Sequence, residues 1–208
     1  SCLLLNNNNT PVTNWFSTAF DALKKLEEEK GTVLEDSPTI NVSSDDTQGL
    51  KEPHEFPALS LAKTKKVTDL VKWASDRPIF LSWKLDGLTL VVTYDNGKLT
   101  KVVTRGDGHI GTNITHLAGA IQGIQKTVKE KGHLVIRGEA VISYEDFEQF
   151  VLESGEDYAN PRNLASGSLS LKDSEEVKRR NIHWIPFTLV YTEKKIVSWG
   201  EQMQYLSD

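Results

Sequence analysis

The sequence predicts an α+β domain whose sheet is made from antiparallel hairpins, not from alternating βαβ units. Three observations lead there. The stretch from Ile79 to Tyr94 is dense in β-formers, Asp95-Asn96-Gly97 is a strong hairpin turn, and Leu99 to Thr104 supplies a return strand. Helical periodicity occurs on both sides of these strands. No glycine-rich dinucleotide fingerprint follows a strand and no Walker-type loop is present, so any nucleotide would be handled without those devices.

Taken in order, residues 14–30 read as a helix with Phe16, Phe20, Leu23 and Leu26 (with Ala19) on one face, closed by Glu27 to Lys30 and Gly31. Residues 31–57 are rich in Asp, Ser, Thr, Gly and Pro and read as a linker or a long wrapping loop, a candidate domain boundary. A second helix is expected over 66–75, with Val67, Leu70, Val71 and Ala74 on one side. The strands around the hairpin follow. Arg105-Gly106-Asp107-Gly108 is turn material, and a short helix is expected near 112–121. Leu134 to Ile142 is a further strand, Tyr144 to Glu153 a helix with Ser143 as N-cap, and Ile182 to Tyr191 a final core strand after a polar loop through Asn160-Pro161-Arg162-Asn163. There are no internal repeats.

Composition fits an ordinary globular protein, with 38% hydrophobic and 25% charged residues in a chain of 208. No apolar run approaches the roughly 18 residues needed to span a bilayer, and Ser1 to Leu5 lacks the basic flank of a signal peptide. With Cys2 as the single cysteine, an internal disulfide and a cysteine-rich zinc site are excluded within these residues, and a cytoplasmic setting fits. The net charge of −5 argues against a nucleic-acid partner, but the charge is unevenly placed. From Lys98 to Arg137 seven Lys/Arg face only Asp107 and Glu130, a block of +5 that reads either as a solvated basic face or as a phosphate-facing surface.

The chemistry centres on Lys84-Leu85-Asp86-Gly87. Strand alternation would project Lys84 and Asp86 to one face, and Gly87 would let the chain pass close to a ligand. A lysine attacks phosphorus only as the neutral amine, so a site must depress its pKa or remove its proton. Asp86 alone would raise that pKa, so orientation, ribose or metal contact are its more useful roles. The four-residue pattern K-x-D-G is weak by itself, since chance supplies it in about one chain in sixteen of this size. A solvated lysine at a turn explains it equally well.

Other segments follow in order: Pro57-Ala58-Leu59-Ser60-Leu61 after His54, Thr104-Arg105-Gly106-Asp107-Gly108, Arg137-Gly138-Glu139, and Asn160-Pro161-Arg162-Asn163 running through Gly167-Ser168-Leu169. Arg105 between glycines can reach a phosphate or sugar, or be an exposed turn arginine. Arg137 and Glu139 share a strand face and can pair with each other. Arg162 suits a fork onto phosphate, or belongs to a helix-capping loop. Together with K-x-D-G, these five ordered motifs resemble the NAD-dependent DNA ligase family over roughly residues 54–191.

The resemblance implies an antiparallel-sheet covalent nucleotidyltransferase (DNA ligase adenylation) fold, incomplete at its C-terminal end. It implies residues 51–208 as the N-terminal part of the adenylation domain, and residues 1–50 as a helix and linker left from the region that holds nicotinamide mononucleotide (NMN). Lys84 would attack NAD to form ligase-AMP, with Asp86 as its catalytic partner, and magnesium would assist. Ser60 and Leu61 would border the adenine. Ser82, Lys84, Gly87, Arg105, Glu139 and Arg162 would contact the nucleotide, with Glu139 near the ribose or a metal and with the metal ligands unassigned. The partners implied are NAD and nicked duplex DNA, sealed during replication and repair by a monomer that needs no membrane.

The chain departs from the family pattern at several positions. Ser82 stands where a glutamate reads adenine, and Ser170 where an arginine follows Gly-Ser-Leu. Thr112 and Asn113 replace two acids. Asn14, Ser17 and Thr18 stand where NMN-holding Asp, Tyr and Asp are expected, and the family's later phosphate-gripping strands are expected beyond Asp208. Three readings therefore remain open: a catalytic ligase fragment, a degenerate nucleotide- or DNA-binding module, and a relative that uses ATP.

Overall fold

The computed structural model describes the backbone of 2–6, residues 25–26 and 29–30, and residues 49–60 and 63–207. Of the expected first helix only Lys25, Leu26, Glu29 and Lys30 are described, and they are helical; the rest of it, the linker up to 48, and Asn14, Ser17, Thr18 and Leu61 lie outside the described residues.

The elements are β1 (Cys2–Asn6), β2 (Lys51–Pro53), α1 (Val67–Ala74), β3 (Phe80–Lys84), β4 (Leu88–Asp95), β5 (Lys98–Thr104), β6 (Ile110–Thr112), a 3₁₀ turn (Thr115–Ala120), β7 (Leu134–Val141), α2 (Tyr144–Ser154), α3 (Pro161–Leu169), α4 (Ser174–Lys178), β8 (His183–Thr192) and α5 (Trp199–Ser207). The main sheet has four strands in the order β5-β4-β7-β8, antiparallel throughout. The mixed helical and antiparallel architecture is the one expected from the sequence. Asn96 and Gly97 both have positive φ, as a two-residue hairpin turn requires if it is to match the twist of its strands.

Alternation along β4 builds the two faces of this sheet. Leu88, Leu90, Val92 and Tyr94 are buried together with Val102, Leu134, Ile136 and Ala140. Leu117 of the 3₁₀ turn, Leu164, Ala165 and Leu169 of α3, and Val177 of α4 pack onto them. Full burial of each such side chain is worth about 1.5–3 kcal/mol, so this face holds the domain together. Residues Thr89, Val91 and Thr93 of β4, and Val135, Arg137 and Glu139 of β7, point to the other face. A strap formed by residues 51–60 crosses that face, placing Ala58 and Phe56 against Val91 and Val135. The strap is fixed by pairing of β2 with β6 and by amides of His54 and Ala58 donating to the carbonyls of His109 and Gly108.

Several elements differ from expectation. The Ile79–Tyr94 stretch is two strands in separate sheets, β3 pairing in parallel with β1. Asp86 lies in the link between them, so strand alternation does not reach it. The loop at Asn160 opens a helix: the Asn160 side chain caps Asn163 N–H, and Pro161 takes the first turn, where its missing N–H costs nothing. The short helix near 112–121 is the 3₁₀ turn. Ser143 caps α2 as expected, accepting from Asp146 N–H at 3.0 Å.

Candidate active site

The site lies where β3 ends and the uncovered end of the polar sheet face begins. Lys84 is the last residue of β3 and is exposed. Gly87, immediately before β4, is buried. A Cβ there would lie 2.0 Å from the Ala140 carbonyl oxygen, so the close neighbour that demands glycine is the backbone of β7. This approach lets the Gly87 N–H donate to Glu139 Oε1 at 3.2 Å. Thr89, opposite Glu139 in the β4–β7 register, donates its hydroxyl to Oε2 at 2.9 Å. Burial pushes the Glu139 carboxyl above the ordinary carboxylate range; the two hydrogen bonds and the charges of Lys84 and Arg162 work in the opposite direction. A buried carboxylate held beside cations is a functional-site candidate.

Arg162, in the first turn of α3, donates to Asp86 Oδ1 at 3.1 Å. Two segments 76 residues apart thus meet beside Lys84. The cationic head of Arg162 sits at a helix N-terminus, where the dipole disfavours it; an anion is the natural neighbour for such a group.

The Arg105 turn forms a second corner. Gly106 and Gly108 have positive φ, and Asp107 Oδ1 accepts from both His109 N–H and Ile110 N–H at 2.8 Å, which holds its carboxyl below the ordinary range. The turn is thereby locked, and Arg105 is presented over the sheet face. Its Nη1 donates to Ser60 Oγ at 3.1 Å, and its carbonyl meets His54 Nε2 at 2.9 Å.

Arg137 does not pair with Glu139, although they share the face. It donates to the Pro57 carbonyl at 3.2 Å, and its guanidinium is pushed to a lower pKa by burial and by the like charge of Arg105. Arg105 and Arg137 are two neighbouring cations with no carboxylate partner among the described residues. The basic block is therefore not one surface: these two arginines turn to the strap at Ser60 and Pro57, while Lys101 is taken by Glu52 at 2.6 Å. Ser82 is half-buried on β3, and Ser170 ends α3, its hydroxyl donating to the Ser166 carbonyl.

A model of the NAD-dependent DNA ligase adenylation domain matches residues 51–208. The chain belongs to that family. It is 41% identical over 199 residues to a DNA ligase of Lachnoclostridium phytofermentans, covering 93% of this chain and 30% of that protein, with the same figures for a DNA ligase of Ruminiclostridium cellulolyticum. A DNA ligase of Leptospira biflexa is 37% identical over 186 residues, 86% of this chain and 28% of that protein. The chain spans less than a third of the length of these relatives.

In this ligase-family chain the geometry brings Lys84, Asp86, Gly87, Glu139 and Arg162 to one corner, and Ser60 and Arg105 to the next. Thr89 and Arg137 complete the two corners and went unassigned in the sequence reading. Thr89 sits across from Glu139 in the β4–β7 register, a long-range pairing that the local β4–β5 hairpin signal does not reveal. The contact of Arg137 with the strap had no local signal. Among the described residues no group of three or more His, Cys, Asp or Glu is placed to hold a metal ion, and no helix is long and apolar enough to cross a membrane.

Proposed function

We propose that this domain is the lysine-adenylating part of an NAD-dependent DNA ligase, with a covalent nucleotidyltransferase fold in residues 51–208 and a remnant of the NMN-holding region in residues 1–50. The neutral Lys84 amine attacks the α-phosphorus of NAD. An N–P bond forms, the bond to the bridging pyrophosphate oxygen breaks, NMN leaves, and the lysine proton is lost to solvent or phosphate. The adenylyl group then passes to the 5′-phosphate at a nick in duplex DNA, and the nick 3′-hydroxyl displaces AMP to seal the strand, in replication and repair in the cytoplasm.

The observation that carries this reading is the meeting of sequence-distant groups beside Lys84: Asp86 with Arg162 at 3.1 Å, and Glu139 on Gly87 and Thr89. Arg162 and Arg105 supply fork-shaped cations for phosphate oxygens, and Ser60 borders the adenine side. Ser82 stands at the adenine-reading position with a hydroxyl in place of a carboxylate. Asp86 orients Arg162 and the lysine. Magnesium suits this site as an ion carried mainly by phosphate oxygens, because among the described residues Glu139 and Asp86 are the carboxylates the site offers and both are already engaged. Its contribution is charge neutralisation on the pyrophosphate.

Intact-mass analysis after incubation with NAD and magnesium tests the proposal, on this chain and on the longer ligase that carries such a domain. One added adenylyl group in the longer protein is expected, absent in Lys84→Ala. No adduct there, an adduct that survives Lys84→Ala, or one formed from ATP and not from NAD overturns it.

A further inference from the structure

At the opposite end of the polar sheet face, the His133 imidazole sits between two carboxylates. Nδ1 lies 2.6 Å from Asp95 Oδ1 and Nε2 lies 2.9 Å from Glu55 Oε2. Ionised carboxylates only accept hydrogen bonds, and a neutral imidazole has one N–H to give. Both contacts can be hydrogen bonds together only if the ring is an imidazolium.

Asp95 ends β4, whereas Glu55 belongs to the strap, so the ring ties one to the other across 78 residues of sequence to Glu55 and 38 to Asp95. Other groups reinforce this placement. Thr100 donates to Asp95 Oδ2 at 2.9 Å, and the His133 amide donates to Glu193 Oε1 at 3.3 Å. The Tyr191 ring lies 5.4 Å from the imidazole and stacks at 5.3 Å on Phe56 of the strap. The carboxylates acting on the ring are Asp95 and Glu55, and Glu193 receives the backbone amide of the same residue. Lys101, which lines the same hollow as His133, lies on β5 and is neutralised by Glu52. The environment thus favours the protonated ring, and the hydrogen bond to Asp95 raises its pKa above the ordinary histidine value against the effect of burial.

The strap carries this tie to the nucleotide corner. Five residues beyond Glu55, Ser60 receives Arg105, while His54 holds the Arg105 carbonyl and Pro57 receives Arg137. Each of these contacts depends on where the strap lies over the sheet.

We propose that His133 is a positioning residue for the nucleotide site: as an imidazolium it latches the strap to β4 through Glu55 and Asp95, and its deprotonation as pH rises releases the strap that seats Arg105 and Ser60. This rests on the ligase reading for the identity of the nucleotide, but the latch itself is a property of the strap and sheet. A histidine raised in this way stabilises the latched state fully below its unfolded pKa, and that contribution is lost as pH rises through the folded value.

The test follows the His133 ring by NMR and the His54 and Ala58 amides by hydrogen exchange across pH, corrected for intrinsic exchange, in the chain and in His133→Gln, Glu55→Gln and Asp95→Asn. His133 is expected to titrate above an ordinary histidine and to fall in the Glu55 and Asp95 variants. The strap amides are expected to exchange about fivefold to tenfold faster above that titration, and at every pH in His133→Gln. In Lys84–AMP formation, His133→Gln raises the half-saturating NAD concentration by a similar factor and leaves the maximal rate unchanged. A ring that titrates at or below the ordinary value, strap exchange unmoved in His133→Gln, or faster exchange with unchanged NAD saturation overturns the proposal. The expected exchange pattern in a protein that forms no adduct supports the latch and counts against the ligase reading alone.

Discussion

Replacing Arg162 separates a catalytic role from a structural one. The Arg162 and Asp86 side chains are 41% and 67% exposed, so their ion pair at 3.1 Å is well solvated. Exposed pairs contribute about 0.2–1 kcal/mol. Arg162 also sits in the first turn of α3, where a cation opposes the helix dipole and alanine is the better helix former. These two effects offset part of the lost pair, leaving a net cost below about 1 kcal/mol, or a fall in Tm of less than about 4 °C for a chain of this size. A contact to a phosphate oxygen is a charge-assisted hydrogen bond worth about 1.5–3 kcal/mol, so its loss slows Lys84–AMP formation by about tenfold to a hundredfold. Thermal melts of Arg162→Ala, paired with mass-resolved adduct kinetics in the longer ligase, measure both quantities. A Tm loss beyond about 8 °C together with an unchanged adduct rate would refute the argument, since it would make the pair a structural tie.

Glu139→Gln tests the sign of the buried acid. Its raised pKa means that its favourable contribution is full below the unfolded value and is lost as pH rises through the folded one. At pH 8 the variant should therefore melt within about 2 °C of the parent, or above it, while adduct formation drops on the order of a hundredfold. A large loss of stability at pH 8 counts against this. Gly87→Ala puts a Cβ 2.0 Å from the Ala140 carbonyl oxygen; urea unfolding should show a loss of about 3 kcal/mol, the upper end for a steric insertion. Glu130 takes hydrogen bonds from Lys194 and Tyr205 of α5, which hold its pKa at about 2. Glu130→Gln should cost about 1 kcal/mol at pH 7 after allowance for the exposure of Lys194, with the difference shrinking as pH falls from about 4.5 toward 2 in pH-resolved urea melts.

What could be read from the sequence was what is encoded locally. The β4–β5 hairpin rests on period-2 alternation and the Asn96-Gly97 turn, and α2 on its Ser143 cap, so both fall within a short window. Strands β2 and β6 are three residues each, lie far apart in the sequence, and carry no periodicity of their own. Helix α3 is masked by a Gly/Ser-rich composition that resembles a loop, although Asn160 and Pro161 are correct start signals in hindsight. The candidate site residues were proposed from motifs, but their structural partners were not. Arg162 meets Asp86, and Arg137 meets Pro57, through tertiary packing that spacing cannot express. The Arg137–Glu139 pair was the local solution, and it loses because Glu139 has two other donors, Thr89 opposite it on β4 and the Gly87 N–H just before that strand.

The polar face of the sheet explains why one strap can serve both ends of the domain. Alternation that buries Leu88, Leu90, Val92 and Tyr94 on one side leaves Thr89, Val91, Thr93 and Asp95 in a line on the other. The first of these supports Glu139 beside Lys84, and the last anchors His133. Between them Val91, with Val135, gives the strap its apolar footing under Phe56 and Ala58. A polar residue at Val91 would remove this footing without touching either end. If the strap is what links the His133 latch to the Arg105 corner, Val91→Thr should loosen strap exchange at every pH and blunt its pH dependence, while leaving the ring of His133 to titrate against Asp95. A pH dependence of full size in that variant would mean that the two ends communicate through the sheet and not through the strap.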